Sequence, residues 1–482
     1  MPADPRPGRA AAPADGPPTA DLAVVGAGPA GLAAAGTAAA HGLSVVLLDA
    51  GERVGGQIHR HPAPGEPPRA ARPLVRRLRS VDHRPAHHVW TVVRDGDSWL
   101  LHCVAGPEES AATVRARAVL LATGAYERHL PFPGWALPGV VGAGGAQAML
   151  KSGRVLPGRR VVVAGSGPLL LAVATTLAGA GARVPAVVEA AGYTAYARHA
   201  GTLARNPGKL AEAARHGSSL LRHTTRLLTR HAVTAAHGTA RVEAVTITRL
   251  DRDWRPVPGT GRRVPCDALA VGHGLVPQLE LATGLGCAVR RTADGTPALA
   301  VDAEQRTSVP GVWAAGETCG IGGVDLARTE GELAALSIAR ALSPGAFPVP
   351  APSPSATRAA TPDAPRRAAA LTRRRTRLRA FADAMAAAHR PGPGWTAWLD
   401  DGTEVCRCEE VTAACVREAV TTLGARDART VKLLTRAGMG WCQGRMCGQA
   451  VARLAGEDPA PDRRPLSCPV PLSHLAQPPG AA

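Results

Sequence analysis

Residues 21–49 read DLAVVGAGPAGLAAAGTAAAHGLSVVLLD: a short apolar run, a glycine-rich break, an alanine-rich stretch stopped by Gly42, and a second apolar run ending in Asp49. Runs this short, bounded by turn residues, predict strands, and the stretch between them predicts a helix, so the segment reads as a complete βαβ unit. Residues 161–189, VVVAGSGPLLLAVATTLAGAGARVPAVVE, repeat the plan and close on Glu189. The uncharged stretch 161–182 is long enough to cross a membrane, but its Gly-Ser-Gly-Pro interruption would break a spanning helix. No transmembrane segment is expected. Strand-like runs recur around VWTVV and WLLHCV, and at AVLLATG (118–124), ALAVG (268–272) and GVWAAG (311–316).

The pattern changes after residue 342. SPGAFPVPAPSPSATRAATPDAP (343–365) has too many prolines and too few apolar residues to build a core, and predicts a linker. Residues 1–20 have the same character and are expected to be disordered. Beyond the linker, VTAACVREAVTTLG predicts a helix closed by Gly424, Asp427 is placed to cap a second through VKLLTRAG, and GQAVARLAG continues as a third. Val411, Ala414, Cys415, Ala419 and Leu423 share a helical spacing, which places Cys415 in a core.

Composition narrows the classes. At 482 residues and 45% hydrophobic content the chain can fold two or three domains. Six of its ten cysteines (Cys103, Cys266, Cys287, Cys319, Cys415 and Cys468) are scattered, and the N-terminus lacks the apolar core of a signal peptide. A disulfide scaffold is therefore not expected, and a reducing cytoplasm is. The net charge of +18 would suit nucleic acid, but much of it lies in RRAAALTRRRTRLRA (366–380) beside the prolines, with few aromatics to stack bases. That run predicts a solvated linker or a surface for an acidic partner, and no nucleic-acid partner.

The glycines of the first unit carry specific chemistry. Gly26 allows a tight turn, Gly28 lets the backbone approach a pyrophosphate, and Gly31 lets helix and strand pack closely, while the helix N-terminus offers unpaired N–H groups to the anion. Asp49, 18 residues after Gly31, ends the next strand where a carboxylate accepts hydrogen bonds from a ribose. The second unit keeps Gly165, Gly167 and Glu189 but has Leu170 at the third glycine position, so it holds a different nucleotide, NAD(P) or ATP, or none.

Four cysteines remain. Cys406 and Cys408 form a Cys-x-Cys pair, and 33 residues later Cys442 and Cys447 form a Cys-x4-Cys pair among Gly440, Gly444 and Gly448. Four thiolates can converge there, with Arg407 and Arg445 adding positive charge and Cys447 placed just before a helix, whose dipole favours an anion. Zinc and a [2Fe–2S] cluster both take four thiolates; Cys-x-Cys is tight for a structural zinc site, and a glycine-rich loop supplies the N–H donors that cluster sulfurs accept.

Several stretches resemble known families. GGQI (55–58), AVLLATGAYERHLPFPGWALPGV (118–140), ALAVGHGLVPQLEL (268–281) and GVWAAGE (311–317) occur in the order seen in two-dinucleotide-domain flavoproteins, the glutathione and thioredoxin reductase class. The resemblance implies an α/β fold with a split FAD domain at 20–150 and 296–342, an inserted nucleotide-binding domain at 151–295, a Pro/Ala/Arg-rich linker at 343–398, a small helical [2Fe–2S] domain at 399–456, and a tail at 457–482. It further implies that Gly55, Gly56 and Gln57 lie along the flavin, that Thr123 and Gly124 mark the crossover, and that Gly316 and Glu317 reach the ribityl chain or pyrophosphate. The usual acid at the last position is Asp. The paired cysteines of the disulfide reductases are missing from this block; Cys319 is single and reads as a core or loop residue, so thiol-disulfide reduction is not expected.

The cysteine block resembles the bacterioferritin-associated-ferredoxin-like [2Fe–2S] module. The whole set, closed by RRPLSCPVPLSHLA, resembles the α subunits of multisubunit amino-acid dehydrogenases: opine oxidase A, proline and hydroxyproline dehydrogenase α, and hydrogen cyanide synthase B. That likeness implies FAD and [2Fe–2S] cofactors, with an FMN at an interface left open, a flavoprotein β subunit that oxidises the amine, and a one-electron acceptor. No catalytic acid or base is discernible; His59, His273 and His389 read as ordinary surface or core residues. Two other readings stand: an NAD(P)H-dependent reductase feeding its own cluster, and an assembly subunit with a structural nucleotide. The proline-rich linker predicts that flavin and cluster sites fold independently.

Overall fold

The computed structural model describes residues 19–63, 65–343, 364–461, 464 and 466–476. The expected disorder of the N-terminal segment and the proline-rich part of the linker fall on residues 1–18 and 344–363, outside the described residues, as does part of the tail. The apolar runs Thr19–Val25 and Val45–Leu48 pair in parallel, Leu22 on Val45 to Val25 on Leu48, joined by helix Pro29–Ala40. All four residues of Val45–Leu48 are buried, because a parallel sheet is covered on both faces. The sheet runs in the order 82–84, 45–48, 19–25, 110–121, 98–105, 87–95, its last strands forming an antiparallel meander. Val312–Ala314 returns to pair with Val119–Leu121.

Between leaving and rejoining that sheet the chain builds a second one, all parallel, ordered 226–229, 186–189, 161–165, 268–272, 140–142. The antiparallel strands His231–His237, Ala244–Arg249 and Arg262–Pro265 stand beside it. The two crossings form one ribbon, Ala125–Glu127 on Leu275–Pro277, so the insertion begins and ends near this ribbon rather than at 151 and 295. Val140–Gly142 is already a strand of the second sheet, and Leu279, Leu281 and Cys287 pack in the first sheet's core. Three-residue strands have no period of their own, so the apolar pattern does not place these boundaries.

The expected linker at 364–398 is ordered structure instead. Ala364–Ala388 is a helix laid along helix Val324–Ala341, with Leu371 buried on Leu333 and Leu336, and Leu378 and Ala382 on Leu326. Arg379 and Arg375 reach the fully buried Glu330 at 2.7 and 3.4 Å, and Arg367 pairs with Glu332 at 2.9 Å. The inward stripe 371, 375, 378, 379, 382 has helical spacing, but arginines hold two of its positions and mask it from a hydrophobic reading. Much of the basic run thus straps one helix to another.

In the C-terminal block, helices Ala413–Thr421, Ala428–Thr435 and Gly448–Leu454 pack behind a ribbon of Glu404–Cys406 on Val411–Thr412. Asp427 accepts the Thr430 N–H at 2.7 Å, a side-chain cap. Cys415 is exposed, contrary to its expected burial. Thr412 is the N-cap, accepting the Cys415 N–H at 3.4 Å; this phase buries Ala413, Val416 and Ala419 and turns Cys415 and Leu423 outward. The block is not a separate folding unit either. Val405, Cys406, Val416 and Cys447 share a continuous core with Trp135, Val245 and Trp254 of the inserted domain. Trp398, just before the block, stacks on Trp254 with ring centroids 6.2 Å apart and donates its indole N–H to the Trp254 carbonyl at 2.9 Å. Among the described residues no helix is long and apolar enough to cross a membrane.

Candidate nucleotide and cluster sites

A cavity of about 1920 Å³ is lined from both sheets. Gly26, Gly28, Asp49, Gly56, Gln57, Thr123, Gly124, Gly316 and Glu317 face it, as do Gly167 and Glu189 of the second unit. Gly31, Gly55 and Gly165 stand behind its wall. A Cβ on Gly31 would overlap the Gly26 carbonyl oxygen and one on Gly165 the Gly272 carbonyl, so these two glycines permit close packing. Gly55 donates its N–H to the Ala27 carbonyl at 2.8 Å and ties the GGQI loop to the first turn. Around the Cβ position of Gly28 there is nothing within 4 Å: the turn at the start of helix Pro29–Ala40 opens directly onto the cavity.

Asp49 braces that turn from the far strand. Its two oxygens accept the Ala27 N–H at 2.5 Å and the Gly51 N–H at 2.6 Å. Burial pushes its carboxyl above the ordinary range, and these two donors pull it part of the way back. Each oxygen keeps a further lone pair with which to accept. Opposite, Gly316 adopts φ +83° and donates its N–H to Glu330 at 3.0 Å. Burial raises the Glu317 carboxyl, which accepts the Gly323 N–H. Thr123 donates to the Gln278 carbonyl at 3.0 Å and Gly124 N–H to the Thr318 hydroxyl at 3.1 Å, which locks the crossover. Among the described residues no cysteine lines the cavity; helix Ala143–Gly153 presents Gly144, Gly145, Gln147 and Lys151 there, its start capped by the Glu127 carboxylate on the Gly144 N–H at 2.7 Å.

The second turn has the same internal bracing and a different outlook. Glu189 accepts the N–H groups of Gly167 and Ala191, both at 2.9 Å, as Asp49 does in the first unit. His389, just past the strap helix, then closes over it: Nδ1 lies 3.2 Å from the Ser166 hydroxyl and 3.4 Å from Glu189, and Nε2 lies 2.5 Å from the Tyr196 hydroxyl. Leu170 is buried among Val173, Ala146 and Leu177. The sequence gives no sign of this role for His389, because the strap that carries it has the composition of a linker.

The four cysteines converge in two pairs. Cys408 is hydrogen-bonded by the thiol and the N–H of Cys442, and Cys447 is hydrogen-bonded to Cys406. Burial first, and then the crowding thiols of Cys406, Cys442 and Cys408, push the Cys447 thiol far above its ordinary value. Four such groups ionise together only around compensating cations. Among the described residues no three His, Cys, Asp or Glu side chains are set to hold one metal ion. Two pairs suit a [2Fe–2S] centre, in which each iron takes two thiolates, better than a single tetrahedral zinc, which takes all four. Gly438 donates its N–H to the Cys406 sulfur at 3.5 Å, and the loop's Arg445 pairs with Glu280 at 2.8 Å. The residues fit such a cluster.

Residues 20–334 match the family described as pyridine nucleotide-disulphide oxidoreductase, and residues 404–457 match the BFD-like [2Fe-2S] binding domain. The opine oxidase A subunit of Agrobacterium tumefaciens is 34% identical over 452 residues, covering 90% of this chain and 85% of the relative. The hydrogen cyanide synthase subunit HcnB of Pseudomonas aeruginosa is 35% identical over 442 residues, covering 88% and 90%. Among solved structures, L-proline dehydrogenase from P. horikoshii shares the fold with a TM-score of 0.64 at 20% identity, over 95% of this chain and 80% of that one. Thioredoxin reductase of T. acidophilum overlays 67% of this chain and 98% of its own at a TM-score of 0.52 and 21% identity. The open first turn, the paired thiols and these likenesses agree: the chain belongs to the pyridine nucleotide-disulphide oxidoreductase family and is an FAD-dependent oxidoreductase with a BFD-like [2Fe–2S] domain, related to the opine oxidase A subunit and to HcnB.

Proposed function

We propose that this chain is the electron-transfer component of a heteromeric amino-acid or amine dehydrogenase whose substrate is oxidised on a partner flavoprotein β subunit. The observation that carries the reading is that the four-thiol site shares a core with the inserted domain and is tied to the flavin domain as well, Arg445 of its loop pairing with Glu280 at 2.8 Å and donating to the carbonyl of Ser467, whose hydroxyl bonds the Val89 carbonyl at 2.9 Å. An FAD takes up two electrons together and releases them singly, and a [2Fe–2S] centre passes one at a time. In this reading Gly28 and the start of its helix hold the pyrophosphate, and Asp49 accepts from the ribose. Gly26 and Gly31 shape that turn. Gly55, Gly56 and Gln57 run along the flavin, Thr123 and Gly124 fix the crossover, and Gly316 and Glu317 meet the ribityl side. Cys406, Cys408, Cys442 and Cys447 hold the cluster. The relatives bear the word subunit in their names, which supports a hetero-oligomer. All ten cysteines are free, which suits a reducing compartment such as the cytoplasm.

The competing reading, an NAD(P)H-driven reductase, needs an open second turn. Gly167 opens onto the cavity as Gly28 does, but His389 holds the Ser166 and Glu189 groups that such a nucleotide would use, and in this reading Gly165, Gly167 and Glu189 brace the inserted domain. We assign no residue to a further nucleotide or to an FMN at an interface. The purified chain, with flavin and iron loaded, is expected neither to be bleached by NADH or NADPH nor to reduce dye with proline, hydroxyproline, opines or glycine, and a second flavoprotein is expected to accompany it from its native source. Rapid bleaching by NAD(P)H would replace this reading with the reductase. Dye reduction by one of the amino acids would place the catalytic centre in this chain.

A further inference from the structure

We propose that Trp135 is the conduit through which an electron crosses from the flavin cavity to the cluster, with His129 and His273 completing the path on the cavity side. The inference rests on the relay reading above and adds the route. Trp135 lies in the Pro-Gly-Trp turn of the crossover segment and is 2% exposed. Its indole N–H donates to the Glu404 carbonyl at 2.6 Å, two residues before Cys406. The guanidinium of Arg407, the residue between Cys406 and Cys408, lies over the same ring at 5.0 Å. One ring therefore touches the Cys-x-Cys segment twice.

The other end leads to the cavity. The His129 ring stands 6.1 Å from Trp135, centroid to centroid. His129 follows Arg128, which faces the cavity and whose carbonyl accepts the backbone N–H of His273 at 3.2 Å. His273 also faces the cavity, is 3% exposed, and its Nδ1 has no partner. Burial lowers His273 to about 3 and His129 to about 4, so both rings are neutral near pH 7. Neutral, polarisable rings in contact couple redox sites better than saturated side chains. Arg445 of the cluster loop also reaches toward the cavity, pairing with Glu280 at 2.8 Å and donating to the carbonyl of Ser467, which lines the cavity, but neither contact brings in an aromatic ring. The transfer itself makes and breaks no covalent bond in the protein: the flavin is oxidised by one electron, the oxidised cluster is reduced by one, and the flavin's proton leaves into cavity water.

The test uses the full chain with both cofactors loaded, held anaerobic with a sacrificial amine donor such as EDTA, and its flavin reduced by a light flash. Absorbance then follows flavin reoxidation and cluster bleaching, while iron, sulfide and flavin per chain and the electron paramagnetic resonance spectrum of the reduced cluster report whether the sites are intact. Trp135→Leu is expected to slow the transfer by an order of magnitude or more with cofactor content and cluster spectrum retained, and Trp135→Phe, which keeps a ring, to restore most of the rate. His129→Leu, at a residue that bonds neither Glu404 nor the cluster cysteines, is expected to slow the transfer as well, which keeps the test decisive if Trp135→Leu folds poorly. Wild-type rates in Trp135→Leu, or in His129→Leu, would overturn the route while leaving the relay intact. A loaded wild type that shows no transfer would instead overturn the relay reading.

Discussion

Cys442→Ser is expected to leave the chain without iron, and so are Cys406→Ser, Cys408→Ser and Cys447→Ser. A serine hydroxyl is hard and stays protonated at neutral pH, whereas the iron of a [2Fe–2S] centre is held by soft thiolates whose charge balances the irons. With two thiols per iron, loss of one leaves that iron half unligated on the protein side. The four variants should differ in stability. Cys406 and Cys447 are each 1% exposed in the core shared with the inserted domain, so a hydroxyl there costs about 1–3 kcal/mol in addition to the metal. Cys408 is exposed and Cys442 half-buried, and their loss should barely move the melting temperature of the metal-free chain. Cys415→Ser, on the surface, should change neither iron nor stability. Iron and acid-labile sulfide per chain, with resonance spectra after reduction, make the comparison. Normal iron in Cys442→Ser would reject the ligand set, and stoichiometric zinc without sulfide in the wild type would reject the cluster.

The second large effect is expected at Glu330. This carboxylate is fully buried, accepts from Arg379 and Arg375 of the strap, and receives the Gly316 N–H at 3.0 Å. Glu330→Ala leaves guanidinium groups without their counter-charge in a low-dielectric place and frees Gly316, a loss of about 3–5 kcal/mol by comparison with other broken buried pairs. Flavin content should fall with it, because Gly316 lines the cavity where the ribityl side is proposed to lie. Glu330→Gln keeps an acceptor for Gly316 and should fall between. Thermal unfolding and FAD per chain report both quantities; a Glu330→Ala protein with unchanged melting and full flavin would refute the role given to the strap.

The two βαβ units are legible in the sequence because their signals are local: apolar runs of strand length, glycines at the turn and an acid at the next strand end all lie within about thirty residues of each other. The four ligand cysteines are legible because spacing alone brings two short pairs into view. The strap is not, since its inward face is built of Leu371, Leu378 and Ala382 interleaved with Arg375 and Arg379, and arginines count as solvent-facing until a buried acid such as Glu330 is known to oppose them. The same gap hides His389. Its chemistry depends on Ser166 and Tyr196, more than 190 positions away in the chain, and no pattern along the sequence records that meeting. The apolar period of this helix groups Cys415 with core positions, but a period defines a face and not its phase, which the Thr412 cap sets.

The relay stands or falls on electronic contact between a flavin and a cluster held by one chain. The anaerobic flash experiment on the wild-type chain reads that contact, once chemical analysis has counted FAD, iron and sulfide. Cluster bleaching and the reduced-cluster resonance signal are expected to grow as the flavin recovers its oxidised absorbance, at the same rate and independently of protein concentration. A flavin that stays reduced beside an oxidised cluster, or a transfer rate that rises with protein concentration, would contradict it.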